Sequence, residues 1–280
     1  MSDPQRQDAA PLEAGIRLGP FELRLARNEE DVRAVQRLRY RVFYEEMKAR
    51  PIGTMEAEKR DFDAFDEICD HLLVTDSKRG GGGDAVVGTY RLLRRSVARR
   101  HGRFYTQDEY DITRLLEVEG ELVELGRSCV DMNYRAGAVV QALLRGLGAY
   151  VAQHDIRLMF GCASLHGTDP DELALPLSHL HHHLRAPEHL RARALESRYI
   201  EMNRLPLEAV DPKAGAASLP PLIKGYARAG CRFGDGAVID EQFNTTDVCV
   251  VLDVQAADDK YRARYRGDDE EEQAEGMGGA

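Results

Sequence analysis

The sequence predicts an α/β (α+β) fold in which helices flank a mixed central sheet. The most informative segment is residues 121–154, where a strand rich in β-branched and apolar residues, a turn over 131–137 and a helix follow one another. Apolar residues recur at helical spacing after the turn: Val140, Leu143, Leu144, Leu147 and Val151. A strand, a helix and paired strands precede this unit and further strands follow it, which is the element order of a mixed sheet.

The segments before residue 121 predict a helix and three strands. Asn28 is a typical N-cap for a helix whose apolar face includes Val35 and Leu38. A run of four glycines joins two apolar segments, as in a hairpin-type connection. The predicted elements are a strand over 21–26, a helix over 29–48 and strands over 71–75 and 86–93, with a charged loop over 50–65 and a basic, irregular segment over 97–111.

The segments after residue 154 predict the rest of the sheet. Thr168-Asp-Pro-Asp171 is a capping signal that opens a helical insertion over 169–195. The remaining predicted elements are strands over 157–164, 199–202, 231–233, 237–240 and 247–252 and a helix over 220–229. We therefore expect one domain over residues 19–255, between a flexible N-terminus (1–18) and an acidic flexible tail (256–280).

Composition argues against several classes of protein. The 280 residues carry a formal net charge of −10, which argues against general nucleic-acid binding. Five widely spaced cysteines form no CxxC pair, so neither a zinc knuckle nor a disulfide framework is indicated. His179 and His183 could face one ion on a helix, but the spacing gives no third ligand and no metal is predicted. No apolar run approaches the ~20 residues that span a bilayer and no signal-peptide pattern is present, which indicates a cytoplasmic protein and leaves open peripheral contact with the inner membrane face.

The turn that precedes the predicted helix is a candidate anion site. A helix start presents unpaired backbone N–H groups and the positive end of the helix dipole. Gly137 lets the backbone approach a ligand closely, and Arg135 adds a positive charge. These features predict a phosphate site, with an ordinary strand–helix junction as the alternative.

Four motifs carry a resemblance to a known family. They are Leu38-Arg-Tyr-Arg-Val-Phe43, Asp63-Ala-Phe-Asp66 followed by His71-Leu72, Val87-Gly-Thr-Tyr-Arg-Leu92 and Glu124-Leu-Gly-Arg-Ser-Cys129. In order and separation they resemble motifs of the GNAT acyltransferases, in the branch that contains acyl-homoserine lactone synthases and bacterial ornithine N-acyltransferases. Tyr134-Arg135 and Phe243-Asn-Thr-Thr-Asp-Val248 are more similar to the ornithine acyltransferases. The resemblance covers residues 21–253 and implies a GNAT-like fold that transfers an acyl group from a thioester to an amine.

The resemblance implies Glu124 and Arg127 as the catalytic residues. Residues three apart point to opposite faces of a regular strand, so we expect a bulge at Gly126 that brings both towards one cleft. N-acylation needs a neutral amine and a polarised thioester carbonyl. Glu124 is the candidate that positions the amine or accepts its proton. The alternative is a structural ion pair between Glu124 and Arg127.

The resemblance also implies a set of substrate-binding residues. Asp63 and Asp66 suit the two amino groups of ornithine, and Arg91 suits its carboxylate. A solvated loop is the alternative for the two aspartates. Arg39 is a further candidate, with a salt bridge on the helix surface as its alternative. Phe43 is expected to line the acyl pocket or to belong to the core.

The expected donor is the acyl-phosphopantetheine of acyl carrier protein, with no tightly bound cofactor. The turn from Tyr134 to Val139 departs from the coenzyme A signature of GNAT proteins, (Q/R)xxGx(G/A), and a carrier-bound arm offers only one phosphodiester to bind. Acyl-coenzyme A stays open as a donor. The residues implied in donor binding are Ser128, Cys129, Val130, Arg135, Gly137 and Ala138.

An acidic carrier protein needs a basic docking surface on this acidic chain. The segment from Arg94 to Arg103 is the candidate, and we call its arginines the basic patch: Arg94, Arg95, Arg99, Arg100 and Arg103. Anionic lipid headgroups would use the same charges, and a plain solvated face is the third interpretation.

The resemblance thus implies transfer of a long 3-hydroxyacyl chain from acyl carrier protein to the α-amine of ornithine, giving a lyso-ornithine lipid. One alternative is an acyl-homoserine-lactone-type signal synthase with S-adenosylmethionine as acceptor, although this chain lacks the tryptophan usual in that family. The others are an acyl-coenzyme A-dependent GNAT acting on another amine and a non-catalytic protein that retains the fold.

Overall fold

A mixed sheet of ten strands is the centre of the computed structural model, which describes residues 12–80, 85–135 and 137–257. The strands are β1 (Ile16–Leu18), β2 (Phe21–Leu25), β3 (Asp70–Asp76), β4 (Val86–Arg94), β5 (Tyr110–Asp111), β6 (Glu121–Val130), β7 (Ile156–His166), β8 (Arg193–Ala194), β9 (Arg232–Asp240) and β10 (Thr245–Asp253). Their order in the sheet is β1-β2-β3-β4-β6-β7-β10-β9-β8-β5. The pairs β6–β7 and β8–β9 are parallel, and the other neighbours are antiparallel.

Helices cover both faces of this sheet, which confirms the predicted mixed α/β architecture. The helices are α1 (Glu29–Tyr40), α2 (Met55–Glu58), α3 (Arg95–His101), α4 (Thr113–Leu116), α5 (Ala138–Gln153), α6 (Ala174–His183), α7 (Pro212–Ser218) and α8 (Pro221–Arg228). Helix α5 packs on one face through an apolar cluster that includes Leu143 and Leu147, and α1 packs on the other face through Val35 and Leu38. No helix of the described residues is both long and apolar enough to cross a membrane.

Several predicted elements differ from the observed ones. The strand predicted over 199–202 is only an isolated bridge at Ile200, and the strands predicted over 231–233 and 237–240 form one strand, β9. The helix that Asn28 caps is α-helical only to Tyr40 and continues as a π-helical turn over Arg41–Glu46. The segment predicted as irregular contains α3, whose last turn carries three basic residues that favour a helix C-terminus. The helical insertion over 169–195 contains one helix of ten residues, α6, because turns occupy residues 170–173 and β8 ends the segment.

The predicted flexible N-terminus begins to be ordered before residue 18. Leu12 is fully buried, and β1 pairs with β2 from Ile16 to Leu18, so burial and ladder hydrogen bonds fix this segment. The predicted domain boundary at residue 19 therefore falls inside a hairpin. Residues 1–11 and most of the predicted acidic tail (258–280) lie outside the described residues, as do three of the four hairpin glycines.

Strands β6 and β7 are in contact only over their first halves. Their parallel pairing runs from Glu121 to Glu124, after which β6 pairs with β4 and β7 pairs with β10. At the point of separation a Cβ atom on Gly161 would lie 2.2 Å from the carbonyl oxygen of Leu125, so only glycine allows this approach. The strands diverge beyond this point and leave a cleft.

A β-bulge in β6 follows directly at this cleft. Arg91 of β4 faces Gly126 whereas Thr89 faces Cys129, so β6 contains one extra residue between these pairs. Arg127 has a φ of +49° and is the residue that takes the left-handed conformation. A bulge is thus present in β6, but it lies at Arg127 and Ser128, directly after the predicted position; Gly126 pairs regularly with Arg91.

Candidate active site

Six charged side chains from four segments meet beside the bulge, and we call them the arginine–aspartate network. Its three arginines come from α1, β4 and β6, and its three aspartates from the loop that follows α2. The members are Arg39, Asp61, Asp63, Asp66, Arg91 and Arg127. Five of the six are residues that the sequence analysis selected. Asp61 is the additional member, and it lies within the predicted charged loop over 50–65.

Arg39 lies at the closed end of the network and is fully buried. Its Nε donates to Oδ2 of Asp61 at 2.7 Å, and its Nη2 donates to Oδ2 of Asp66, also at 2.7 Å. Nη1 reaches the second oxygen of Asp66 at 2.9 Å, which makes the pair with Asp66 bidentate. Arg39 is therefore a central part of the core and not a surface salt bridge.

Asp66 is held by three side chains and is no part of a solvated loop. Gln36, Arg39 and Arg91 donate to its two oxygens at 2.7 to 3.0 Å. Burial opposes its ionisation, but the charge and hydrogen bonds of Arg39, and then the charge of Arg91, outweigh burial and hold the pKa of Asp66 well below its ordinary range. A substrate ammonium group would have to displace one of these donors to reach Asp66.

Asp63 lies at the open end of the network, where its side chain is 24% exposed. It accepts from Arg91 at 2.6 Å and from Arg127 at 3.3 Å. It also caps the short 3₁₀ turn over Ala64–Glu67 by accepting from the backbone N–H of Phe65. Among the aspartates of the network, Asp63 is thus the one that a ligand can approach.

Two aromatic rings hold the guanidinium group of Arg127 in place. The ring centroids of Tyr105 and Phe243 lie 4.9 and 4.8 Å from its Cζ atom, within cation–π distance. Phe43 packs edge-on against Phe243 at 5.7 Å and is buried. Phe43 therefore supports Arg127 through Phe243, a contact that the sequence pattern could not indicate.

Glu124 lies on β6, is buried, and also contacts the segment that carries Tyr105. Its two oxygens accept from the backbone N–H groups of Tyr105 at 3.0 Å and Thr106 at 2.6 Å. Burial raises the pKa of Glu124, and the bonds from Thr106 and Tyr105 only partly oppose this. The partners of Glu124 are thus backbone N–H groups, whereas Arg127 pairs with Asp61 and Asp63.

The predicted phosphate-binding turn forms the start of α5. Gly137 is the N-cap residue with a φ of +102°, and Ala138 begins the helix. Arg135 pairs with Glu46 at 2.5 Å and donates from Nε to the carbonyl oxygen of Val130. The positive charge expected to face a phosphate is therefore already balanced by Glu46.

The bulge separates the strand residues implied in donor binding. Ser128 lies within the irregular stretch between the pairs Arg91–Gly126 and Thr89–Cys129. Cys129 is buried in the cluster below α1, and burial raises the pKa of its thiol to about 12. Val130 ends β6 and accepts from Arg135. These three residues thus face different surroundings.

The basic patch is smaller than the sequence analysis expects. Arg95 is buried, and its guanidinium group donates to the carbonyl oxygens of Leu116, Val118 and Gly120. It stabilises the end of the α4 segment and is not available for docking, which corrects the prediction. The remaining arginines of the patch are partly or fully exposed: Arg94, Arg99, Arg100 and Arg103.

Three carboxylates that the sequence analysis did not select form a second group, which we call the acidic cluster. They are Glu109, Asp240 and Asp247, and their ligand oxygens lie within 4.8 Å of one another. Burial, followed by the charge of Asp247, raises the pKa of Glu109 to about 7. Burial also raises the pKa of Asp247 to about 6, with Asp240 adding to the effect. The only signal in the sequence was that Asp247 lies in the segment Phe243–Val248.

The histidine run of α6 has structural contacts. His179 is buried against α7, where a Cβ on Gly215 would lie 2.5 Å from its Nδ1. The Nε2–H of His182 donates to the carbonyl oxygen of Leu205 at 2.8 Å. These contacts fix α6 on its neighbours.

An apolar crevice lies between the diverging strands on the α5 side of the sheet. Residues from β6, β7, β10, α5 and α8 line it, among them Leu125, Leu144, Leu147, Met159, Tyr226 and Val250. It begins at Leu125, where β6 and β7 separate. Leu125 directly precedes Gly126 and Arg127 in β6, so the crevice begins next in the chain to the strand residue that joins the arginine–aspartate network.

Comparisons with known proteins identify a family model, relatives and solved structures that this chain resembles. Residues 38–145 match the family model described as acetyltransferase (GNAT) domain. The chain is 48% identical over 257 residues to the L-ornithine N(alpha)-acyltransferase of Agrobacterium fabrum (strain C58), covering 91% of this chain and 88% of that protein. It is 47% identical over 252 residues to the enzyme of the same name from Brucella abortus (strain 2308), covering 89% and 90%. The crystal structure of the acyl-homoserine lactone synthase LasI superposes with a TM-score of 0.45 at 13% identity, covering 82% of this chain and 89% of that chain.

The fold and the matched domain define an acyltransferase of the GNAT class. The chain belongs to the family of the L-ornithine N(alpha)-acyltransferases. The resemblance that the four motifs carry is thereby confirmed.

Proposed function

We propose that this protein transfers a long 3-hydroxyacyl group from acyl carrier protein to the α-amine of ornithine, giving a lyso-ornithine lipid. The observation that carries the proposal is the near-complete match to relatives named for ornithine N-acylation, at 48% identity over 91% of the chain. Strand β6 supports it because it carries both a residue of the apolar crevice, Leu125, and a residue of the charged network, Arg127. An amphiphilic amide product has the same division into an apolar and a charged part.

The reaction needs no covalent enzyme intermediate. The neutral α-amine attacks the thioester carbonyl carbon, the carbon–sulfur bond breaks, and the amine proton is transferred while the thiol leaves as thiol or thiolate. Glu124 is our candidate for positioning the amine or accepting its proton, because its buried carboxyl has a raised pKa that suits a proton acceptor. Each of its oxygens accepts one backbone N–H bond, from Tyr105 or Thr106, and keeps a second lone pair on which it can accept a proton.

Arg127 and Arg91 are our candidates for binding the carboxylate of the amino acid. Arg127 is fixed by two rings, so its guanidinium group is oriented before the substrate arrives. Asp63 bridges both arginines at the open end of the network and would order the acceptor site. In this proposal Arg39, Asp66 and Phe43 act by positioning these groups.

The carrier-protein donor is supported by the start of α5. Glu46 already balances the charge of Arg135, and a helix N-terminus with one glycine suits a single phosphodiester better than a pyrophosphate. The donor arm would run past Ser128, Cys129 and Val130 towards the crevice. The exposed arginines of the basic patch, Arg99, Arg100 and Arg103, would then face the acidic carrier, and the same charges would serve a peripheral contact with anionic lipid.

The direct test follows amide formation from radiolabelled ornithine with 3-hydroxyacyl-carrier protein and purified enzyme. Glycine, lysine, glutamine and S-adenosylmethionine serve as alternative acceptors, and acyl-coenzyme A as the alternative donor. We expect an organic-soluble amide from ornithine that is lost in Glu124→Ala. Product from acyl-coenzyme A alone would contradict the donor, and product from S-adenosylmethionine alone would contradict the acceptor.

The docking surface has a separate test with a matched control. The double variant Arg99→Glu, Arg100→Glu reverses two exposed charges of the basic patch, whereas Arg228→Glu reverses an exposed charge on α8. We expect the KM for acyl carrier protein to rise about tenfold in the double variant, because docking to an acidic partner depends on charge complementarity. An acyl-pantetheine donor should react equally with all three proteins. An unchanged KM for the carrier would exclude this surface.

A further inference from the structure

The acidic cluster joins carboxylates from three separate segments of the chain. Glu109 follows the 3₁₀ turn over Tyr105–Asp108, Asp240 ends β9 and Asp247 lies on β10. Glu109 is 3% exposed and Asp247 is 7% exposed, so two of the three carboxyl groups are removed from bulk water. Asp240 is half-buried and forms the outer side of the cluster.

Neutral donors satisfy much of the cluster, but they bring no positive charge. Asp247 accepts from the hydroxyl of Thr245 at 2.9 Å, and Asp240 accepts from the backbone N–H groups of Gln242 and Phe243. Buried carboxylates are ordinarily paired with cations, because burial without a counter-charge is costly.

One oxygen of Glu109 has no partner with hydrogen-bond geometry in the described part of the chain, although the neutral thiol of Cys162 faces this carboxyl group. Oε2 of this side chain is buried and has no hydrogen-bond partner among the described residues. The other oxygen, Oε1, lies 3.7 Å from Nη2 of Arg198, which is beyond hydrogen-bond distance. A buried, unpartnered acceptor beside two further carboxylates indicates a place for a donor that carries positive charge.

The cluster lies next to the proposed acceptor site. Phe243, which packs on Arg127, stands in the chain between Asp240 and Asp247. Tyr105, the second ring on Arg127, begins the turn that leads to Glu109. The charge of Arg127 also acts on Asp247, whose pKa it lowers against the larger effect of burial. A small substrate bound to Arg127 would thus have its other end near the cluster.

We propose that Glu109 and Asp247, with Asp240 at the outer side, bind the side-chain ammonium group of a diamino acid and select it over amino acids that lack this group. The inference rests on the proposed acylation of an amino-acid α-amine. A diamino acid carries one ammonium group that must lose its proton to react and one that stays charged. The charged group would contact the cluster directly, whereas Arg198 stays 3.7 Å from Glu109, and Arg127 would take the carboxylate.

The experiment compares ornithine with norvaline, which has the same carbon chain without the side-chain amine. The kcat/KM for each acceptor is measured in the wild type, in Glu109→Gln and in Asp247→Asn. Glu241→Gln is the matched control, because it removes one exposed carboxylate next to Asp240 in the chain. Thermal melting of each variant verifies folding.

We expect the wild type to prefer ornithine by about a hundredfold or more, because buried polar groups left unpaired reject a substrate that lacks the matching group. Glu109→Gln should lower this preference at least tenfold, mainly through ornithine, and leave norvaline within about threefold of the wild type. An equal loss for both acceptors, or an unchanged preference, would overturn the inference. Activity abolished by a chelator and restored by Mg²⁺ or Ca²⁺ would also overturn it, because the cluster would then bind a metal.

Binding measurements separate this inference from the proposed function. If the wild type acylates no amino acid, the proposed function fails, and calorimetry of ornithine and norvaline then tests the cluster by itself. Tighter binding of ornithine in the wild type but not in Glu109→Gln would support the cluster as an ammonium site. Equal binding of the two amino acids would exclude it. If Glu109→Gln does not fold, the preference for ornithine over norvaline is compared between the wild type and Asp247→Asn instead.

Discussion

The arginine–aspartate network and the acidic cluster are two groups of buried carboxylates that both adjoin Arg127, yet their pKa values shift in opposite directions. Burial opposes ionisation in both. In the network the charges of Arg39 and its neighbours outweigh burial, and the pKa values of Asp61 and Asp66 fall. In the cluster burial prevails, and the pKa of Glu109 rises to about 7. Burial is common to both groups, so the number of fixed cations nearby decides whether the pKa values of the carboxyl groups fall or rise.

This difference indicates separate tasks for the two groups. A carboxylate whose oxygens are all engaged by arginines is suited to hold structure, as Asp66 does for Arg39 and Arg91. A carboxylate with an unpartnered buried oxygen, as in Glu109, is suited to a ligand. The two kinds of group can be distinguished by substitutions that remove one charge at a time.

The largest effect is expected at the closed end of the network. Arg39→Met removes the cation that Asp61 and Asp66 share, so both buried carboxylates lose a positively charged partner. We expect the free energy of unfolding to fall by about 3–5 kcal/mol, as measured by urea denaturation. Arg37→Met is the matched control on α1, where an exposed pair with Glu30 is lost, and it should change stability by no more than about 0.5 kcal/mol. Equal effects of the two substitutions would mean that the network does not stabilise the fold.

The second effect concerns the pH dependence of stability and has opposite signs in the two groups. The folded protein holds protons on Glu109 and Asp247 at pH values where the unfolded chain has lost them, so their contribution is lost as pH rises through about 6 and 7. Asp61 and Asp66 have lowered pKa values, so their contribution is lost only as pH falls below the ordinary aspartate range.

The variant Glu109→Gln tests the loss of stability with rising pH that Glu109 is expected to cause. Between about pH 4.5 and 7 the wild type should lose up to about 3 kcal/mol of unfolding free energy relative to this variant, from a pKa raised to about 7. Arg198, Cys162 and Asp247 also face Glu109 and stay in place in the variant. Glu241→Gln should follow the wild type at every pH. Parallel curves for the wild type and Glu109→Gln would show that the pKa of Glu109 is the same in the folded and the unfolded chain.

The sequence predicted most of the elements and selected five of the six network residues, but it predicted neither their ion pairs nor the cluster. Local sequence pattern detects strands that coincide with apolar segments bounded by turn residues, as β3, β4, β6, β7 and β10 do. Asp63, Asp66 and Arg91 were found because they fall in motifs. Their engagement with Arg39 depends on how α1 packs against the sheet, which no local pattern contains.

The cluster could not be predicted because Glu109 is far along the chain from Asp240 and Asp247. Glu109 and Asp247 are brought together by the pairing of β7 with β10 and by the turn that Glu124 holds. The position of the bulge was predicted to within one residue. The left-handed residue is Arg127, since the partners of its guanidinium group compensate the backbone strain that Gly126 would have avoided.

The smallest effect on stability, and the most selective effect on activity, is expected at the open end of the network. Asp63→Asn removes the charge that Arg91 and Arg127 share but keeps the cap of the 3₁₀ turn, because asparagine caps as well as aspartate. We expect the kcat/KM for ornithine to fall about tenfold, with the unfolding free energy within about 1 kcal/mol of the wild type, because Asp63 is partly exposed.

Asp76→Asn is the matched control for this substitution, since Asp76 caps another 3₁₀ turn in the same way and contacts neither arginine. It should keep full activity. A fall in stability as large as that of Arg39→Met would place Asp63 with the structural part of the network. Full activity in Asp63→Asn would exclude the open end from the acceptor site and leave the acidic cluster as the only group of carboxylates described here that is available to the substrate.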